Sequence, residues 1–226
     1  MWIILAIASA LCLGFYDIFK KLSVKGNNVL IVLLWSTFFG ALIMSPEIIS
    51  GIVHGNWGFG NSFSGHLLII VKSFIVLCSW LLGYTALKHL PLTVQGPINA
   101  TRPVLVLMGA VLIFGENLNV LQWGGILLGF ASLFMISRIG AREGVSERHS
   151  QWMWMAIGAT FFGAVSALYD KYLLRHYEPL EVQAWYSLYQ CVIMTVVILI
   201  LHWRSDSATA FKWRWTIPCI SLFLTV

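Results

Sequence analysis

Apolar runs of about twenty residues follow one another along this chain with only short polar breaks, and that pattern leaves few folds open. They lie near 2–22, 29–53, 66–87, 92–114, 119–138, 151–174 and 181–203, and a further run opens near Trp215. A helix that crosses a bilayer needs about 20 apolar residues. In hydrocarbon each backbone N–H and C=O must be satisfied within the protein, which selects helices or closed barrels. A barrel strand alternates apolar and polar residues, and these runs are continuous. Composition agrees. Of the 226 residues 59% are hydrophobic and 10% are charged, against about a quarter charged in soluble domains. The fold class expected is therefore all-α, a polytopic membrane protein with seven complete spans and a partial eighth. The expected setting is a lipid bilayer, as a multi-pass protein of a cell membrane, the bacterial cytoplasmic membrane being the reading made here.

Local signals mark the ends of the spans. Trp2, Trp123, Trp152, Trp154, Trp203, Trp213 and Trp215 fall at or near them, where an interfacial aromatic belt belongs. Gly26-Asn27-Asn28 separates the first two runs, and Asn119 with Gln122 offers a capping box for the fifth. The opening MWIILAIASALCLGFYDIF has no basic stretch before its apolar core, so it reads as a retained helix and not a cleaved leader.

Several function classes drop out. The net charge of +5 comes from Lys and Arg scattered between apolar runs, which gives no basic face for nucleic acid. Cys12, Cys78, Cys191 and Cys219 sit inside apolar runs without C-x-x-C spacing, and the six His residues fall at or between run ends. Neither pattern makes a metal site, and no cofactor is expected. A membrane enzyme would need convergent His, Asp or Glu within the spans, and the sequence shows no such cluster.

The chain matches itself at a displacement of 153 residues. Ala6, Ala10, Gly14 and Tyr16-Asp17 in the first run return as Ala159, Gly163, Ala167 and Tyr169-Asp170 in the sixth. Steps of four, four and three keep the small residues and the Asp on one helical face, and small residues let membrane helices approach closely. The first unit holds five spans, an odd number, so a second copy starts from the opposite side of the membrane. That is an inverted-topology repeat, a pattern of secondary transporters. The expected divisions are a first repeat over 1–138, a linker over 139–150 and a second repeat over 151–226. Two five-helix units make ten spans, so the sequence reads as lacking the end of its second unit. The last run, TIPCISLFLTV, agrees: its eleven residues reach only ~17 Å as a helix.

YTALKHLPLT, RPVLVLMGAVLIFGENL and LQWGGILLGFASLFMIS, between Tyr84 and Ser137, resemble the third-helix exit, the fourth helix and the fifth helix of EamA-type transporters in the drug/metabolite transporter superfamily. The resemblance implies carriage of a small metabolite, drug-like molecule or amino acid by alternating access, with no ATPase domain. The alternative is a membrane fragment or interaction subunit that transports nothing. Oligomeric state is not legible.

Candidate binding residues follow from the rarity of polar groups within spans. Gln95, Asn99 and Arg102 fall at i, i+4 and i+7 on one face of the fourth run. A charge at bilayer depth costs at least ~2.5–3.5 kcal/mol and faces the protein interior or a wet cavity. Arg102 therefore reads either as a ligand for an anionic or zwitterionic substrate or as one half of a fixed ion pair. Pro97 and Pro103 disturb the same helix. Asp17 and Asp170 are candidate counter-charges, with Lys20 and Lys21 within reach of Asp17. Lys72 reads as snorkelling to the headgroups. Trp80 and Tyr84, with Trp185, Tyr186, Tyr189 and Gln190 on the seventh run, are candidates to line an amphipathic cavity. Glu116 is expected to order the turn before the fifth helix.

Orientation divides two signals. Lys and Arg collect in the loops after spans one, three, five and seven, and Arg175 stands alone after the even ones. The positive-inside rule then places the N-terminus outside, whereas the resemblance implies a cytoplasmic N-terminus.

Overall fold

The computed structural model describes residues 2–55, 58–59, 62–115, 119–142, 150–204 and 212–225. Every regular element among them is an α-helix: α1 (Trp2–Val24), α2 (Val29–Val53), α3 (Phe63–His89), α4 (Leu92–Ala100), α5 (Arg102–Phe114), α6 (Val120–Arg142), α7 (Ser150–Leu173), α8 (Pro179–Arg204) and α9 (Thr216–Thr225). Five stretches are long and apolar enough to cross a bilayer: Val29–Val53, Phe63–His89, Val94–Phe114, Gln151–Leu173 and Pro179–Ile200. The protein is thus a multi-pass membrane protein.

The turns form as their residues dictate. Gly26 takes the left-handed conformation at φ 68°, and the Asn28 side chain accepts the Leu30 N–H to start α2. At α6 the Gln122 side chain accepts the Asn119 N–H at 2.8 Å, one half of the expected capping box. Asn119 Oδ1 accepts instead from Val120, at 2.7 Å.

The fourth run departs from expectation. It is two helices that meet at Thr101. Pro103 has no N–H to give the Asn99 carbonyl one turn back. The chain tightens there, with Thr101 donating both its N–H and its hydroxyl to Ile98 O, at 3.1 and 2.7 Å. The break sits directly before Arg102. Glu116 lies outside the described residues.

The chain forms two compact units, Met1–Leu77 with Leu174–Val226 and Cys78–Leu173. In the first, α2 packs along α8, and α9 packs on α1 and α2. Asn27 is 2% exposed and clamps the segment before α9: its Nδ2 donates to Lys212 O at 2.8 Å and its Oδ1 accepts from Lys212 N at 3.1 Å. Ser221 donates to Ser36 O at 2.6 Å. In the second unit α4 and α5 pack on α7. Its buried centre is Ala86, Leu90 and Ala156, flanked by Val94, Ile98, Trp152, Met153 and Met155. Trp152, the third residue of α7, is stacked 3.8 Å from His89, the last residue of α3, so it lies at a helix end as expected and packs within the unit there. Trp154 and Trp215 do stand exposed.

Large apolar side chains cover much of the surface, and several polar ones are buried beside the apolar core. Leu112, Val120, Leu121 and Leu128 are exposed, while Ser23, Ser73, Thr160, Gln190 and Lys72 are buried. Apolar residues outside and small polar ones within are what lipid solvation selects.

Candidate functional site

Polar side chains of α4 and α5 converge on the backbone of α3 and α7 within the second unit. Gln95 is 3% exposed and its Nε2 donates to Gly83 O at 3.2 Å. Thr160 donates its hydroxyl to Ala156 O at 2.9 Å and lies 3.3 Å from the Asn99 side-chain oxygen position. Turning that amide so its nitrogen faces the hydroxyl satisfies both groups. Arg102 Nη2 donates to Gly163 O at 2.8 Å.

Gly163 makes that last contact possible. A Cβ there would stand 2.9 Å from Arg102 Cζ and 3.0 Å from Nε. Ala159, one turn earlier, accepts the Ser79 hydroxyl at its carbonyl, 2.8 Å away. A Cβ on Gly83 would lie 3.5 Å from the Ala159 methyl. Small residues of the repeated stripe therefore open α7 to its neighbours and expose its carbonyls to polar side chains. Among the described residues the polar partner of the Arg102 guanidinium is this carbonyl, which carries no net charge. A guanidinium has five N–H donors, and Arg102 is itself exposed.

The other residues picked from the sequence divide between the units. Trp80 and Tyr84 lie one turn apart on α3, ring centroids 6.5 Å apart, and Tyr84 is fully buried. Asp170 is half-buried near the end of α7. Asp17 belongs to the first unit and is exposed on α1. Its neighbour Lys20 is buried, with Nζ 5.3 Å from the Tyr16 ring.

The first unit holds a second polar cluster. Tyr189 OH and His66 Nδ1 are 2.9 Å apart, and His66 meets Trp185 edge-on at 4.7 Å and Phe59 at 5.0 Å. Lys72 is 6% exposed, not extended to a headgroup as expected from the sequence. Its Nζ lies 4.5 Å from the centroid of the Tyr186 ring, a cation–π contact that compensates for lost water. Burial wins over snorkelling because Lys72 sits nine residues into α3, where an aromatic face of α8 is nearer than the helix end. Gln190, one turn beyond Tyr186, is 1% exposed, and neither amide atom has a hydrogen-bond partner among the described residues. An orphaned buried amide costs about 1–3 kcal/mol. His66 and the role of Lys72 escaped the sequence reading; a cation deep in an apolar run was the available signal.

At the N-terminal end of α8 a cavity of 240 Å³ is lined by Glu47, Glu178, Glu181, Trp185 and neighbouring residues. Glu181 Oε1 accepts the Phe59 N–H at 2.6 Å, which anchors a non-glycine residue at φ 53°.

Among family models, that of the EamA-like transporter family matches residues 1–138. No curated protein matches the sequence. A solved crystal structure shares the fold with a TM-score of 0.63 and 15% identity, over 96% of this chain and 74% of the other.

Proposed function

We propose a function for this chain as a member of the EamA-like transporter family, to which it belongs: it carries a small anionic or zwitterionic molecule across the membrane by alternating access, and Arg102 binds the substrate's negative group. The substrate class is a metabolite, drug-like molecule or amino acid. The observation that carries this reading is the Arg102–Gly163 contact. It fixes the guanidinium through a neutral carbonyl, so the positive charge is held in place with donors to spare. A planar fork of that kind matches a carboxylate. Asn99 and Gln95, on α4 before the break at Thr101, are the further polar groups of the proposed site.

The inverted repeat is the mechanism's frame. Its support is that α2 packs along α8, the pair that the 153-residue displacement relates, and that Thr216 opens α9 at that same displacement from Phe63 at the start of α3. Repeats of opposite topology are a frame on which secondary transporters build alternating access.

The test is transport in proteoliposomes with labelled amino acids and organic acids. Arg102→Ala is expected to abolish uptake while the protein still inserts and purifies. Arg102→Lys keeps the charge without the fork and is expected to retain a fraction of it. Undiminished uptake by Arg102→Ala rejects the substrate role.

A further inference from the structure

We propose that the α1–α2 turn and the segment before α9 form a headgroup site for an anionic phospholipid, with Lys25, Lys212 and Arg214 on its phosphate and Trp215 at the level of its glycerol. These cations are distant in the sequence, and the fold gathers them at one corner of the unit that holds α2 and α8. Asn27, two residues past Lys25, holds the backbone of Lys212 with both halves of its amide, at 2.8 and 3.1 Å. Arg214 Nη1 donates to Leu22 O, and the hydroxyls of Ser23 and Thr216 are 2.6 Å apart. Trp213 packs edge-on against Trp35 of α2, ring centroids 5.2 Å apart. The segment is thus fixed on the helices around it, while Lys25 and Lys212 stay exposed.

Charge and depth identify the occupant. Of the described carboxylates of this unit, Glu47, Glu178 and Glu181 line the cavity near the other end of α2, and Asp17 lies about 12 Å back along α1 from Lys25. The ammonium groups of Lys25 and Lys212 make no hydrogen bond or ion pair among the described residues. Arg214 uses one N–H on Leu22 O, and a guanidinium has five. Charge-assisted donors of this kind suit a phosphate. The indoles decide between a lipid and a free anion. Trp213 and Trp215 are 44% and 81% exposed, at the end of apolar helices, where a tryptophan sits among headgroups. Basic side chains at that level attract anionic lipid. The site stands apart from the Arg102 reading, and either can fail without the other.

The experiment is native mass spectrometry and thermal unfolding of the purified full chain in neutral detergent, with phosphatidylglycerol, phosphatidylcholine and glycerol 3-phosphate as probes. Phosphatidylglycerol is expected to stay bound and to raise Tm, phosphatidylcholine to bind about tenfold more weakly, and glycerol 3-phosphate, which lacks acyl chains, to leave Tm unchanged. Lys25→Gln and Lys212→Gln are each expected to weaken phosphatidylglycerol about fivefold. Both positions are exposed, so these variants fold. Lys88→Gln, at the end of α3, is expected to leave binding unchanged. The proposal is overturned if phosphatidylcholine binds as well as phosphatidylglycerol, or if either Lys25→Gln or Lys212→Gln keeps full affinity. It is also overturned if Lys88→Gln weakens binding as much as they do, which would make net charge the cause. A Tm rise with glycerol 3-phosphate equal to that with phosphatidylglycerol would make the ligand a free phosphate and rejects the lipid.

Discussion

The guanidinium of Arg102 rests on the carbonyl oxygen of Gly163, Nη2 to O at 2.8 Å, and only the missing side chain of Gly163 leaves room for it. A glycine on one helix thereby sets the position of a charge on another. Gly163→Ala tests this. The new methyl would meet Arg102 Cζ at 2.9 Å, and the guanidinium, as the far end of a flexible side chain, swings away. Stability is expected to change by about 1 kcal/mol or less, measured by thermal unfolding. Transport is expected to fall toward the level of Arg102→Lys. Wild-type transport in Gly163→Ala would show that this contact does not position the charge.

The contact of α5 with α7 should be less forgiving at Gly109. A Cβ there would lie 2.2 Å from Leu168 Cδ1. Gly109→Val forces Leu168 out of its rotamer or separates the helices, an overpacking cost of about 1–3 kcal/mol. The check is a lowered Tm that Leu168→Ala, introduced in the same chain, partly restores.

Asn27 mimics a peptide group. It exchanges two hydrogen bonds with the backbone of Lys212, at 2.8 and 3.1 Å, from a site that is 2% exposed. Asn27→Ala leaves a backbone donor and acceptor without partners and is expected to cost about 2–3 kcal/mol. Limited proteolysis between α8 and α9 should accelerate in parallel, and an unchanged cleavage rate would mean the clamp does not hold that segment.

Glu181 secures the segment before α3 by accepting the N–H of Phe59, whose backbone sits at φ 53°. Left-handed backbone at a bulky residue is strained and persists while that bond holds it. Glu181→Ala is expected to destabilise by about 1–3 kcal/mol, and Phe59→Gly in the same background to recover part of the loss by relieving the backbone. Additive losses in the two variants would disprove the coupling.

The sequence by itself determined where the helices run. Transfer of a segment into lipid depends on the summed polarity of about twenty neighbours in the chain, so α2 begins and ends at Val29 and Val53 as the apolar run does. Caps and turns are equally local, and Asn28, Asn119 with Gln122, and Gly26 act within a few residues of themselves. The small-residue stripe was legible as a close-packing face for the same reason, and it is one on α7 at Ala159 and Gly163, whereas a Cβ on Gly14 of α1 would meet nothing within 4 Å. Which residues that face would meet was not. Asp17 and Asp170 were read as candidate counter-charges for Arg102; the contact it makes among the described residues is with the uncharged carbonyl of Gly163. Lys72 read as a headgroup anchor and is buried against Tyr186. In both cases the choice of partner depends on which helix lies opposite, over sequence separations of 61 residues for Arg102 and more for Lys72. Periodicity states which way a side chain faces on its own helix; only the packing of helices decides what it finds there.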